Sequence, residues 1–173
     1  MRMKKFYLPI AIAILGLCSC SSVDSIVGNG SSMIEDSSSS NNEEKDMPVF
    51  TAQYYRGFSM DNVLRSEKLG DIHYNVYIPD DYDGSSAYAL FFTLPGYQGL
   101  YRFGVGANLE TENFAFEAMD YIDDMIIVAP QLNDWGETSA KQTIELVHWF
   151  LDNLNIDEDR VFANGYSGGG ETM

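Results

Sequence analysis

Gly165-Tyr166-Ser167-Gly168-Gly169 sets a serine between small residues in the pattern G-x-S-x-G, with Gly170 next. A serine held in a sharp strand-to-helix turn projects its hydroxyl from the edge of a sheet, where it can attack a carbonyl carbon. The residues two before and two after it must be small, because strand and helix nearly touch there. The helix that follows points its N-terminus and free N–H groups at negative charge forming beside Ser167. The chemistry predicted is acyl transfer to Ser167. A glycine-rich turn is the bland alternative, since Gly and Ser are common in this chain. Context favours the nucleophile, because the motif directly follows an apolar strand.

A series of strands and helices positions that turn. Asp71 to Ile78 alternates, with Ile72, Tyr74, Val76 and Ile78 on one face and His73, Asn75 and Tyr77 on the other. This predicts a half-buried strand, ended by Pro79 and the turn cluster Asp80 to Gly84. Tyr88 to Leu94 is nearly all apolar, as in a strand covered on both faces, and stops at Pro95-Gly96. Phe114, Ala118 and Ile122 recur at helical spacing, with Ala115 and Tyr121 beside them. Met125 to Ala129 is a second buried strand, stopped by Pro130. Ser139 with Gln142 suits a capping box. The helix it opens should bury Ala140, Ile144, Val147, Leu151 and Leu154 on one face. Val161 to Asn164 is a third buried strand, ended by Gly165. The alternation predicts an α/β fold with a mostly parallel sheet and helices on both faces. No internal repeat is visible.

Composition narrows the function classes. The chain has 173 residues, two Cys and two His, so a Cys₄ zinc site is impossible. No metal or cofactor is expected. The net charge of −16 argues against a nucleic-acid partner, which needs a basic face. Hydrophobic residues make up 45%, a globular share. The length suits one domain once terminal segments are removed.

Arg2, Lys4 and Lys5 form a positive region before the short apolar stretch Phe6 to Leu17. A membrane span needs roughly 20 residues, so this stretch is too short. Leu17-Cys18-Ser19-Cys20 resembles a bacterial lipoprotein signal, with Cys20 the acylated residue. Residues 1–20 are therefore expected to be a signal peptide and lipobox, with Cys20 lipidated. Residues 21–46 hold nine serines and form a flexible linker, because they bury too little apolar surface to offset ordering entropy. Residues 47–173 form the folded domain and carry −14 of the charge. The expected location is the outer or periplasmic side of a bacterial membrane, reached by export and held by lipid on Cys20. The acidic domain should not bind anionic lipid by its surface.

The strand Tyr74 to Pro79, the apolar strand Ala87 to Leu94 and Pro95-Gly96-Tyr97-Gln98-Gly99 resemble the opening of an α/β-hydrolase. Ile126 to Pro130, Asn155 to Arg160 and the elbow Gly165 to Gly170 continue the resemblance in order, over roughly residues 70–173. The related families are secreted serine esterases, polyhydroxybutyrate-depolymerase-like or feruloyl-esterase-like, with prolyl-oligopeptidase-type peptidases as cousins. The resemblance implies that Ser167 is the nucleophile and forms an acyl-enzyme. It implies an oxyanion hole from the backbone N–H groups of Gly168 and Tyr97, with Gln98 the second choice for the latter. One such donor is typically worth about 10²–10³ in rate. Many relatives carry His-Gly where this chain has Pro95-Gly96.

In this fold the acid and then the histidine of the triad follow the serine. Here only Gly168 to Met173 follow it. His148 should lie about 14 Å down its helix from Ser139, and His73 should face solvent, so neither is placed as the base. Losing a base costs about 10⁶ in turnover. An elbow strand that is central in the family would also be left as an edge. The expectation is a C-terminally truncated stretch of a longer hydrolase, lacking the triad Asp and His and inactive alone.

Other features weigh less. Gly104-Val105-Gly106 starts like a dinucleotide fingerprint, but Leu109 replaces its third glycine and no strand immediately precedes it; a loop is expected. Asp134, Trp135, Tyr97 and Tyr101 either line an aryl or sugar pocket or are surface aromatics. Asp157-Glu158-Asp159 reads as a solvated turn. The function expected is hydrolysis of small-molecule or polysaccharide-linked carboxylic esters. The alternatives are a prolyl-oligopeptidase-type peptidase and a catalytically dead surface binding lipoprotein of the same fold. Substrate groups and oligomeric state are not fixed by these residues.

Overall fold

The structure is a computed structural model, and it describes residues 47–173. The signal peptide, Cys20 and the 21–46 linker lie outside the described residues. Six strands form one mixed sheet: β1 (Tyr54–Tyr55), β2 (Phe58–Ser66), β3 (Gly70–Tyr77), β4 (Tyr88–Leu94), β5 (Met125–Pro130) and β6 (Ile156–Gly165). Four helices accompany them: α1 (Ala107–Thr111), α2 (Phe114–Met119), α3 (Glu137–Asn153) and α4 (Gly169–Thr172). The strand order is β1-β2-β3-β5-β4-β6. β4 runs parallel to both β5 and β6, while β1, β2, β3 and β5 pair antiparallel in succession.

Alternation along the central strands divides the core into two layers. Leu90, Phe92, Ile126 and Val128 face α3, where they meet Leu146 and Phe150. Ala89, Met125, Ile127 and Ala129 face the other way, with Leu109 of α1 and Ala115 of α2. All six residues of β5 are buried, because it has a strand on each side and helices on each face. A smaller cluster of Leu94, Leu100 and Leu132, with Trp135 against it, closes the C-terminal edge of the parallel strands. Among the described residues no helix is long and apolar enough to cross a membrane.

Several local expectations are corrected. β2, with its hairpin partner β1, was not anticipated. Asn75 was expected outward but is fully buried, because its amide reaches Asn108 at 2.9 Å. The helix expected over Phe114 to Ile122 stops at Met119, and Tyr121 is 79% exposed. α3 starts at Glu137, two residues before the expected cap, and Gly136 occupies the N-cap without a side-chain cap. Its buried residues are Ser139, Gln142, Leu146 and Phe150, whereas Ile144 is 57% exposed. The polar Ser139 and Gln142 are buried because each has a partner, Asp134 for the first and the Leu69 carbonyl for the second.

β6 is longer and less buried than expected. Its register against β4 jumps from Tyr88↔Ile156 to Leu90↔Val161, so Asp157 to Arg160 form a bulge within the strand and not a separate turn. Arg160 ties that bulge to Asp124 through two hydrogen bonds of 2.9 and 3.0 Å. β4 is the one strand β6 pairs with among the described residues, and Phe162 stays 43% exposed.

Candidate active site

At the end of β6 the backbone turns sharply into α4. Ser167 has φ +51°, the left-handed region that a non-glycine residue rarely adopts. The turn is held by hydrogen bonds from Gly169 N–H to Tyr166 O at 2.8 Å and from Gly170 N–H to Ser167 O at 3.0 Å. Tyr166 N–H donates to Leu94 O at 3.1 Å, which docks the turn on the end of β4. The small residues follow from this packing. A Cβ on Gly165 would lie 2.4 Å from Gly169 O, and one on Gly169 would lie 2.4 Å from Leu94 O. Both contacts are backbone, so neither can give way.

The segment after β4 comes alongside. Pro95 and Gly96 lead into a helical turn at Tyr97–Gly99 and a second at Tyr101–Phe103. Trp135, after β5, joins the two candidate oxyanion segments. Its indole N–H donates to Pro95 O at 3.0 Å, and a Cβ on Gly168 would lie 2.3 Å from its ring. Tyr97 and Ser167 line one cleft of about 550 Å³, together with Gln98, Thr111, Glu112, Phe114 and Tyr166. Among the described residues, the backbone N–H groups of Tyr97 and Gly168 donate to no protein acceptor. They remain free for an anion. Gly96 N–H is not free, because the Glu112 carboxylate takes it at 2.7 Å. Burial pushes the Glu112 carboxyl up, and the Gly96 hydrogen bond opposes that shift.

Ser167 and Tyr97 line the same cleft, and Gly168 follows Ser167 in the turn against Trp135. Cys20 lies outside the described residues. The aromatic pocket is corrected in its membership. Of Asp134, Trp135, Tyr97 and Tyr101, Tyr97 alone lines the cleft. Asp134 accepts from Gly136 N–H at 2.9 Å and Ser139 Oγ at 2.7 Å, so it serves the start of α3. The Ser139 hydroxyl and then the Gly136 N–H hold its carboxyl below the usual range. Tyr101 stacks on His73, with ring centroids 4.6 Å apart. Glu112 and Phe114 were missed as site residues. No spacing rule marks them, since a loop and two short helices bring them back over β4.

Neither histidine reaches the elbow. His73 is only partly exposed, and its Nδ1 pairs with Asp61 Oδ1 at 2.8 Å. That His–Asp pair sits on the β2–β3 hairpin, three strands from β6 in the sheet order. At about 4.8 Å per strand the separation is roughly 14 Å. His148 is exposed on α3, eleven residues beyond Glu137, or about 16 Å along the axis. Among the described residues no cluster of three or more His, Cys, Asp or Glu could hold a metal ion.

No protein-family model matches the chain, and no curated protein matches it by sequence. Solved structures do. A thermostable esterase matches with TM-score 0.57 at 22% identity, over 67% of this chain and 36% of that one. A ferulic acid esterase from Anaeromyces mucronatus matches with TM-score 0.47 at 18% identity, over 72% of this chain and 56% of its own. A Lactobacillus plantarum carboxylesterase matches with TM-score 0.47 at 20% identity, covering 65% of this chain and 42% of its own. The chain therefore spans between about a third and somewhat over half the length of these structures. With this strand order, two helical layers and a sharp turn at the end of β6, the described chain carries part of the α/β-hydrolase fold, and it is similar to esterases of that fold.

Proposed function

We propose that this protein is a serine hydrolase of carboxylic esters, exported and tethered by lipid on Cys20, that works through an acyl-enzyme on Ser167. The observation that carries the reading is the left-handed backbone of Ser167, at φ +51°, in a cleft beside two free N–H groups. Strain of this kind costs about 1–3 kcal/mol and persists where surrounding structure enforces it. Ser167 Oγ attacks the ester carbonyl as its proton passes to a base. The tetrahedral oxyanion accepts hydrogen bonds from Tyr97 and Gly168 N–H, donors positioned before charge develops. The carbonyl re-forms, the alcohol leaves with the proton, and water then cleaves the acyl-enzyme by the same route. No histidine among the described residues reaches Ser167, so in this reading the base comes from elsewhere in the working enzyme. Suitable substrates are small or polysaccharide-linked esters.

The test is turnover by the native gene product on p-nitrophenyl acyl esters and on prolyl amides, with Ser167→Ala as control. The reading expects ester cleavage that falls by about 10⁵–10⁶ in Ser167→Ala. Cleavage of prolyl amides alone would favour a peptidase, and no cleavage of either would favour a binding protein.

A further inference from the structure

The cleft beside Ser167 holds one ionisable carboxylate, and that carboxylate is in an unusual place for the proposed chemistry. Glu112 Oε1 accepts Gly96 N–H at 2.7 Å, and the next peptide N–H, that of Tyr97, is the candidate oxyanion donor. An ionised Glu112 therefore lies within about two peptide units, each about 3.8 Å, of the position where negative charge would form. Like charges at that range repel, and the repulsion opposes the transition state for an uncharged ester. Its second oxygen has no protein partner among the described residues.

Aromatic rings frame the same carboxylate. A Cβ on Gly96 would lie 2.7 Å from Tyr166 Cδ1 and 3.0 Å from Glu112 Oε1, so the ring and the carboxylate converge on one point. Phe114 pairs with Tyr166, with centroids 5.7 Å apart and planes tilted by 42°. The two rings are 40% and 51% exposed. Ring faces in this protein already take cations: Arg102 lies 4.5 Å from the Tyr97 centroid, and Arg56 lies 3.4 Å from that of Phe116. Arg102 itself does not line the cleft. A half-buried carboxylate with a free oxygen, beside two partly exposed aromatic rings, suits an organic cation. The acidic domain would enrich such cations around it.

We infer that the cleft selects esters carrying an ammonium group close to the scissile carbonyl, with Glu112 as counter-ion and Phe114 and Tyr166 as the aromatic walls. The inference rests on the esterase reading for the word ester; the cation site stands on its own geometry. A bound ammonium neutralises Glu112 just where the oxyanion forms, so it favours the transition state as well as binding.

Two measurements separate the site from the activity. The first is binding to the Ser167→Ala protein, followed by NMR shifts at Gly96, of benzylammonium against benzyl alcohol. We expect benzylammonium to bind about tenfold more tightly. Glu112→Gln keeps an acceptor for Gly96 N–H and should shrink that preference to about twofold or less. Phe114→Leu should weaken benzylammonium several-fold with Glu112 intact. Equal binding of the two probes, or a preference that survives Glu112→Gln, overturns the cation site. The second is hydrolysis by the native gene product of matched neutral and ω-ammonium p-nitrophenyl esters. Glu112→Gln should speed the neutral ester and slow the charged one, a reversal that a packing role would not produce. Absence of hydrolysis in both, with the binding preference intact, would refute the esterase reading and leave the cation site standing.

Discussion

Ser167 combines two properties that rarely occur together, an exposed hydroxyl and a left-handed backbone. Elementary sterics set the cost, since an L-residue in this region brings Cβ against the backbone carbonyl. Replacement by glycine should therefore relieve strain while removing the hydroxyl. Ser167→Gly is expected to be about 1 kcal/mol more stable than Ser167→Ala in urea unfolding. Equal midpoints would mean that the turn is not strained. The serine was legible in the sequence, because a turn this tight needs glycines at fixed offsets, and those offsets can be read directly. Glu112 was not legible. Its importance arises from a hydrogen bond to Gly96 across sixteen positions, and no local pattern encodes that contact.

Among the elements, the β2–β3 hairpin holds the site from behind. Asp61 sits at a register shift in β2 with φ +53° and gathers donors from three other segments. Its Oδ1 faces His73 Nδ1 at 2.8 Å, accepts Gln131 Nε2 at 2.7 Å and lies 3.4 Å from the Tyr101 hydroxyl. Gln131 in turn takes Gly106 N–H at 2.7 Å. The loop between β4 and α1, which carries Tyr97, is thereby tied to the sheet. Burial first, and then the Asp61 carboxylate, pushes the Tyr101 hydroxyl up. Asp61→Ala should cost about 1–3 kcal/mol in urea unfolding, because it strands these donors and puts alanine in a left-handed position. Asp61→Asn, which keeps an acceptor and tolerates that backbone, should recover at least half the loss. Equal losses would show that neither an acceptor at this position nor tolerance of the left-handed backbone accounts for the cost.

Which elements could be read beforehand follows the same physics. β4 and β5 were recognisable because burial on both faces demands an unbroken apolar run. β2 was not, since Phe58–Ser66 carries Asp61, Asn62 and Arg65 and its alternation breaks at the register shift. The face of α3 was misassigned because Ser139 and Gln142 are buried by hydrogen bonding, which hydrophobic periodicity does not see.

At the scale of the whole molecule, charge dominates the surface. Residues 47–173 carry a net −14, and among the described residues the ion pairs involving Lys or Arg are Lys141–Glu137, which is exposed, and Arg160–Asp124, which is partly exposed. Exposed pairs of this kind contribute little, so self-repulsion is only weakly offset. Raising NaCl from 10 mM to 0.5 M shortens the screening length from about 30 Å to about 4 Å. The thermal midpoint of the domain should rise over that range; an unchanged or falling midpoint would mean that acidic repulsion does not limit its stability. The same field should draw cations toward the cleft, in keeping with the site inferred at Glu112.

One labelling experiment tests directly whether Ser167 is the activated nucleophile proposed for it. The native gene product would be treated with a fluorophosphonate probe, digested, and mapped by mass spectrometry beside the Ser167→Ala variant. A single adduct is expected on the peptide containing Ser167, absent from the variant, with no other serine labelled. An unlabelled Ser167 in the folded native protein, or an adduct that persists in Ser167→Ala, would contradict the proposal.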